Sequence, residues 1–143
     1  MAEVIAYYDP GADITAHASV ALTGGRCVAI TANRRAGGPA GIDDSSDGLV
    51  VVGLPAADGR IFGVASHDAA QNAKVNIMRG PKVVPVEMGV AGPIAAFAEV
   101  NTGADGRLKA AAATTPPIGF LLTAAATAGT YGQVALYNSG AIA

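Results

Sequence analysis

The last quarter of the chain lacks charge. Residues 110–143 contain no aspartate, glutamate, lysine or arginine, whereas about 25–35% of a typical soluble surface is charged. Pro116, Pro117 and several glycines interrupt the segment, so it does not offer the run of about 18 apolar residues that a membrane-spanning helix needs. We therefore expect this segment to be covered by its own core, by other copies of the chain or by a partner protein, with no role for a membrane.

Tryptophan is absent, aromatic residues make up only 5% of the chain, and Cys27 is the single cysteine. One cysteine cannot staple the fold, and its apolar neighbours predict a buried structural thiol. The net charge of −2 provides no basic field for binding phosphates, so direct contact with nucleic acid is not expected. Too few aromatic side chains are present to stack on single-stranded bases.

The motifs of common enzyme classes are missing as well. The sequence has no phosphate-binding or dinucleotide-binding glycine loop and no cysteine and histidine residues at metal-ligand spacing, and its three glutamates stand far apart. Ser66, His67 and Asp68 are consecutive, and adjacent residues cannot place a base between nucleophile and acid. We expect no catalytic residue, no cofactor and no metal, and hence no enzyme. The first ten residues lack the features of a secretory signal, so we expect synthesis in the cytoplasm.

Short apolar segments separated by glycine, proline and Asp-Gly predict a mainly β protein with many short strands, in one small barrel-like or tulip-like domain. Composition leaves room for one short helix, at 65–73 or 95–100. The predicted strands are 3–8, 13–22, 26–32, 48–54, 60–66, 73–78, 82–88, 94–100, 107–112, 117–124 and 131–137.

Two segments of the sequence resemble each other. Ala-Asp-Gly-Arg occurs at 57–60 and at 104–107, and Asp-Gly is a strong hairpin signal. The segments 61–64 and 117–120 follow, and then the alternating segments 74–77 and 133–136. The match is short, so a structural repeat and a coincidence of composition both stay open.

Residues 31–48 form a polar interruption with almost no apolar side chains, and a segment of this kind cannot join a core. It is either a solvated surface excursion or a contact arm that orders on docking, with Arg34 and Arg35 meeting acidic groups of a partner. Asp43, Asp44 and Asp47 lack the ligand spacing of a calcium loop.

The order of several turn and strand segments resembles that of the bacteriophage capsid cement, or head decoration, proteins. The opening turn and strand at 9–15 precede a glycine-led strand at 24–30. In the second half the resemblance rests on 84–86, 92–94, 106–110, 118–122 and 132–136. It covers most of the chain except the polar insertion at 31–48.

The resemblance implies that residues 1–143 form one decoration-type β domain. It implies a structural virion protein that binds the outer surface of an icosahedral head as a homotrimer, with the major capsid protein as its partner, and stabilises the shell. Residues 1–12, the 31–48 loop and the uncharged tail are the expected interface elements, and the individual interface residues we predict are Tyr7, Tyr8, Arg34, Arg35, Asp43, Asp44, Tyr131 and Tyr137. The alternative is a carbohydrate- or receptor-binding β module of a phage fibre or surface layer.

Overall fold

The computed structural model describes residues 13–35, 48–89, 93–125 and 128–137, and these ranges contain ten strands and no helix. The prediction of a mainly β, barrel-like fold is confirmed. The predicted strand at 3–8 lies outside the described residues, and each of the other ten predicted strands overlaps an observed one. The strands are β1 (Ile14–Ala18), β2 (Cys27–Ala32), β3 (Val50–Gly53), β4 (Gly63–Ala65), β5 (Lys74–Met78), β6 (Lys82–Glu87), β7 (Glu99–Thr102), β8 (Leu108–Ala110), β9 (Gly119–Leu121) and β10 (Tyr131–Leu136).

The short helix that the composition left open is absent from both segments, 65–73 and 95–100. Residues 95–98 form a turn in which the Ala98 amide donates to the Ala95 carbonyl, and Phe97 there has a φ of 65°. A left-handed residue ends any helical path, and strand β7 begins directly afterwards, at Glu99. In the segment 65–73, Ala69 instead makes a bridge to Leu22.

Strands β1–β5 close into a barrel in the order β1-β3-β2-β4-β5. All neighbours are antiparallel except β1 and β3, which run parallel. Alternate residues of β1 point inward, and Ala16 and Ala18 pack inside with Val52, Val75 and Ile77. Small side chains suit this position because a five-stranded barrel has a narrow interior. We refer to this barrel as the first unit.

Strands β6–β10 form a second sheet in the order β6-β10-β9-β7-β8. A parallel bridge between Met88, just after β6, and Leu108 of β8 joins its two edges. Taken in chain order, β6–β10 repeat the pairing of β1–β5 strand for strand. We refer to this sheet as the second unit.

The repeat extends to individual pairs. The Val28–Gly63 pair of the first unit corresponds to Val100–Gly119 in the second. The bridge between Leu22 and Ala69 returns as the bridge between Ile94 and Ala125. A Cβ at Gly63 or at Gly119 would collide with the backbone carbonyl of the facing strand, at Met78 and at Ala135 respectively. These two glycines therefore occupy the same tight corner of each unit.

The structural repeat that the sequence left open is therefore confirmed, although parts of the proposed alignment were wrong. The segments 61–64 and 117–120 are equivalent, as expected. Strand β5 is equivalent to β10 two residues earlier than the sequence suggested, because Ile77 and Val134 hold matching positions opposite Ile14 and Val84. The two Asp-Gly turns are not equivalent, since one lies between β3 and β4 and the other between β7 and β8.

The two units meet along a contact that we call the seam. Among the described residues, three backbone hydrogen bonds cross it: the amides of Glu87, Cys27 and Asp58 donate to the carbonyls of Gly25, Gly106 and Thr102 at 2.8, 2.8 and 2.9 Å. Ion pairs cross it too, between Lys82 and Asp13 at 2.6 Å and between Lys109 and Asp58 at 2.8 Å.

Glu87 is the centre of the charged part of the seam. Its carboxylate lies 2.6 Å from Arg26 Nε of the first unit and 3.5 Å from Arg107 Nε of the second, and its side chain is only 14% exposed. A half-buried carboxylate between two guanidinium groups satisfies charges that would otherwise be desolvated. Much of the charge in this charge-poor chain is thus used to join the two units.

The apolar part of the seam contains Cys27 and Val64, which pack into the same cluster as the core residues of the second unit. Burial raises the pKa of the Cys27 thiol to about 12, opposed by a smaller effect of a hydrogen bond with Thr102. The thiol is therefore protonated and shielded at neutral pH. The prediction of a buried structural cysteine is confirmed.

Within the described residues, no helix is long and apolar enough to cross a membrane.

Candidate interaction surface

The outer face of the second unit carries several exposed or half-buried apolar side chains. In strands β6, β7, β9 and β10, alternate residues such as Val84, Val100, Leu121 and Val134 point into the core. Their neighbours point outward, and pairing places Glu99, Phe120, Ala135 and Val83 in one row across the four strands. We call this surface the aromatic face.

Three rings form a stack on the aromatic face. Phe97 stacks on Phe120 with centroids 5.8 Å apart and planes inclined by 12°. Phe120 in turn contacts Tyr137 at 6.0 Å with a tilt of 47°. Aromatic pairs at such distances stabilise one another by about 0.5–1.5 kcal/mol beyond the area they bury, so the three side chains form one ordered platform rather than separate flexible groups.

Phe97 is exposed and also strained. Its side chain is 79% exposed, and its φ of 65° is a conformation that bulky residues seldom adopt. The equivalent residue of the first unit is Gly25, with a φ of 78°: the Gly25 amide donates to Ala65, as the Phe97 amide donates to Leu121. A phenylalanine at a glycine position costs folding free energy and leaves apolar area in water. Such strain is typical of residues kept for binding.

Further exposed apolar side chains surround the stack, with Leu122 at 43% and Val83 at 54%. Glu99 contributes a negative charge. The pKa of the Tyr137 hydroxyl is raised by burial and, to a smaller extent, by the charge of Glu99. An aromatic, charge-poor patch of this kind has the composition of a protein–protein interface core.

The uncharged C-terminal segment is covered only in part. Ile118, Leu121, Val134 and Leu136 are buried as expected, but residues 112–114, 122–124 and 128–131 are exposed. Its own core therefore does not cover the whole segment, and uncharged surface remains for a partner. An open depression lined by 123–125 and 130–133 lies within it. The described residues contain no group of three or more histidine, cysteine, aspartate or glutamate side chains that could hold a metal ion.

The predicted interface residues fall into separate places. Tyr137 belongs to the aromatic face. Tyr131 is 58% exposed, and its ring lies against Gly25 at the seam. Both are consistent with contact roles, but their interface function stays a prediction. The remaining tyrosines and the two aspartates of the predicted interface, Tyr7, Tyr8, Asp43 and Asp44, lie outside the described residues.

Arg34 and Arg35 stand where the polar insertion leaves β2. The Arg34 guanidinium donates to the Gly48 carbonyl. The Arg35 amide donates to Leu49 at 2.9 Å, and its Nη1 lies 3.4 Å from His17 Nε2. The two arginines therefore hold the ends of the insertion together and place positive charge at one end of the first unit.

Sequence reasoning missed Phe97, Phe120 and Val83 as surface residues. Phe97 was assigned to a strand or a helix, and the other two to strands of unknown facing. The available signal was the repeat: when the two units are aligned on Gly63 and Gly119, Phe120 is the residue equivalent to Val64. The two units differ at that position in what covers the side chain, and that difference depends on packing between units.

Comparison with known proteins identifies a shared fold. No protein-family model matches the sequence, and no curated protein matches it. Among solved structures, the crystal structure of the head fiber gp8.5 N base in bacteriophage phi29 superimposes with a TM-score of 0.66 at 18% sequence identity. The match covers 90% of this chain and 95% of that chain. The chain therefore has the fold of the base of a phage head fibre along nearly its whole length.

Proposed function

We propose that this chain is a structural protein of a bacteriophage virion that docks on the outside of the head, with no enzymatic activity. The observation that carries the proposal is the superposition of nearly the whole chain on the base of a phage head fibre. The order of turns and strands, which resembles that of head decoration proteins, supports the same assignment independently. Exposed apolar side chains on a charge-poor surface provide the contact area that docking requires.

In the first form of this proposal, the chain is a cement protein. It docks as a homotrimer on the major capsid protein and stabilises the expanded shell. A ligand that binds only the assembled shell lowers the free energy of that state, by about 2.7 kcal/mol per site at a concentration one hundred times Kd. Modest contacts suffice because three linked subunits bind together.

In the second form, the chain is the base that attaches a fibre to the head. The structural neighbour is the base of a phage head fibre, which favours this form. A base must bind the head, but it need not make the shell harder to disrupt. The two forms therefore differ in what docking does to the shell.

The stability of heads separates the two forms. Heads assembled without the protein are titrated with purified chain and then heated or exposed to guanidinium, and shell disruption is followed by light scattering. A cement protein raises the disruption midpoint in proportion to occupancy, whereas a fibre base binds without shifting it. Absence of binding to heads, together with saturable binding in a glycan screen, would instead support the carbohydrate-binding alternative.

A further inference from the structure

We propose that the aromatic face of the second unit is the docking site for the first unit of a second copy of this chain, in a head-to-tail contact. The contact repeats between copies the packing that the seam makes within one copy. It specifies the homotrimer of the proposed function, but it is measured without heads, so failure of either proposal can be recognised separately.

The argument starts from the repeat. In the first unit, the outer row Cys27, Val64 and Met78 runs across β2, β4 and β5 and packs against the second unit. The equivalent row in the second unit is Glu99, Phe120 and Ala135, across β7, β9 and β10. The same surface is therefore covered in one unit and open in the other. The aromatic face is therefore equivalent, through the repeat, to a surface that the chain already uses in an interface.

The surface that covers the first row has an equivalent too. The covering surface is the end of the second unit that contains Thr102 and Glu87. Thr102 is fully buried there, and the Glu87 carboxylate forms an ion pair with Arg26. The matching residues of the first unit are Ile30 and His17, because Ile30 pairs with Val52 as Thr102 pairs with Leu108. Ile30 is 50% exposed. The apolar Ile30 is thus exposed to solvent, whereas its counterpart Thr102 is buried in the seam.

Side-chain chemistry at matched positions fits this contact. In the seam, the Tyr131 ring lies against Gly25. Tyr131 pairs with Glu87 as Lys74 pairs with His17, so the same packing brings Lys74 to Phe97. A lysine ammonium over a phenylalanine ring is attractive. In the seam the ring belongs to the covering surface, at Tyr131, whereas in the proposed contact it belongs to the covered surface, at Phe97.

Charge complementarity points the same way. Glu99 gives the aromatic face a negative charge, while the end of the first unit carries the exposed Lys74. Opposite charges on two docking surfaces favour this pairing over contact between two aromatic faces, which would bring two copies of Glu99 together. Because the two surfaces differ, the contact is heterologous, and it forms a ring if the rotation closes.

The test uses one variant for each surface. F97G restores the residue type found at the equivalent Gly25, so it removes the ring and relieves the left-handed strain. K74E reverses charge at the other surface. We expect each variant alone to weaken self-association by about a hundredfold, the effect of losing a dominant interface residue, as measured by sedimentation velocity. L54S, which removes another exposed apolar side chain (47% exposed), should leave association unchanged.

Mixing the two variants gives the sharpest outcome. A K74E copy retains its aromatic face and an F97G copy retains its first-unit end, so the mixture forms a heterodimer with one intact contact. Urea unfolding at a concentration at which both proteins are monomeric should show a midpoint of F97G close to that of the wild type, because relief of the left-handed strain offsets the lost ring stacking. This comparison separates lost binding from lost folding. Three results would overturn the proposal. The first is a wild-type chain that is monomeric at about 100 μM, a concentration that would populate even a weak assembly. The others are a mixture of the two variants that stays monomeric and a K74E variant that associates as tightly as the wild type.

Discussion

Replacing Leu121 by alanine will destabilise the chain by about 3 kcal/mol, as for other large-to-small core substitutions. Leu121 is fully buried in the second unit. A Cβ at Gly132 would lie 2.9 Å from Leu121 Cδ2, so the leucine occupies the space that a larger residue at Gly132 would need. Truncating it leaves a cavity next to a glycine that cannot fill it.

The repeat predicts the rescue. The positions equivalent to Leu121 and Gly132 in the first unit hold Ala65 and Val75, which are both buried. L121A/G132V copies that solution, so its free energy of unfolding should exceed that of L121A by about 1–2 kcal/mol, although G132V alone overpacks the site and destabilises it. Urea unfolding of the three variants measures the coupling.

A matched control separates this coupling from a general effect of valine at Gly132. V28A creates a cavity in the first unit, away from Gly132, so V28A and G132V should add within about 0.5 kcal/mol. If the effects of L121A and G132V on the free energy of unfolding were merely additive as well, the residue pair of the first unit could not replace that of the second. The proposed equivalence of these positions would then be wrong.

Removing the carboxylate of Glu87 is expected to loosen the seam. E87A leaves Arg26 and Arg107 facing each other without their shared acceptor, and the side chains of these arginines are 23% and 34% exposed. Deleting one partner of a fully buried pair costs about 3–5 kcal/mol. Partial exposure of the arginines lowers the expected loss to about 2 kcal/mol. Urea unfolding measures this loss, and E99A, which removes an exposed carboxylate from the aromatic face, should change stability by less than about 0.5 kcal/mol.

Cys27 gives this prediction a local readout, because its thiol is buried where the two units meet. In the wild type at pH 8, a thiol reagent should react only through opening of the seam or through unfolding. E87A should therefore accelerate modification, and V75A, which truncates a side chain in the core of the first unit's barrel, should accelerate it only as far as its global destabilisation requires. Equal acceleration at equal loss of stability would show that Glu87 does not act on the seam specifically.

Local sequence signals were sufficient for most of the fold because strand and turn chemistry is local. Apolar alternation and glycine positions located the ten described strands, and the likeness of the segments 61–64 and 117–120 raised a structural repeat as one of two open explanations. The exact register of β10 was missed, since several two-residue shifts keep the same face inward. The helix that composition left open at 95–100 does not form, because Phe97 has a left-handed backbone that follows from its place in the repeat and not from its own preference.

The open surface could not be read in the same way. Whether Val64 or Phe120 is covered depends on how the two units pack, and both sit in similar short apolar strands. The ion pair between Glu87 and Arg26 joins residues more than sixty positions apart in sequence, so no local sequence pattern predicts it. Tyr137, one of the tyrosines near the two ends, lies on the aromatic face, but composition offered no reason to select Phe97.

Docking to heads is the central claim, and co-sedimentation tests it most directly. Purified chain is mixed with expanded heads, assembled without it, of the phage that encodes the chain, and the pelleted protein is quantified by mass spectrometry. The account predicts saturation at a fixed copy number per capsid subunit that is compatible with the symmetry of the shell. No pelleted protein at concentrations on the order of 10 μM, above the range expected for a multivalent contact, would contradict it.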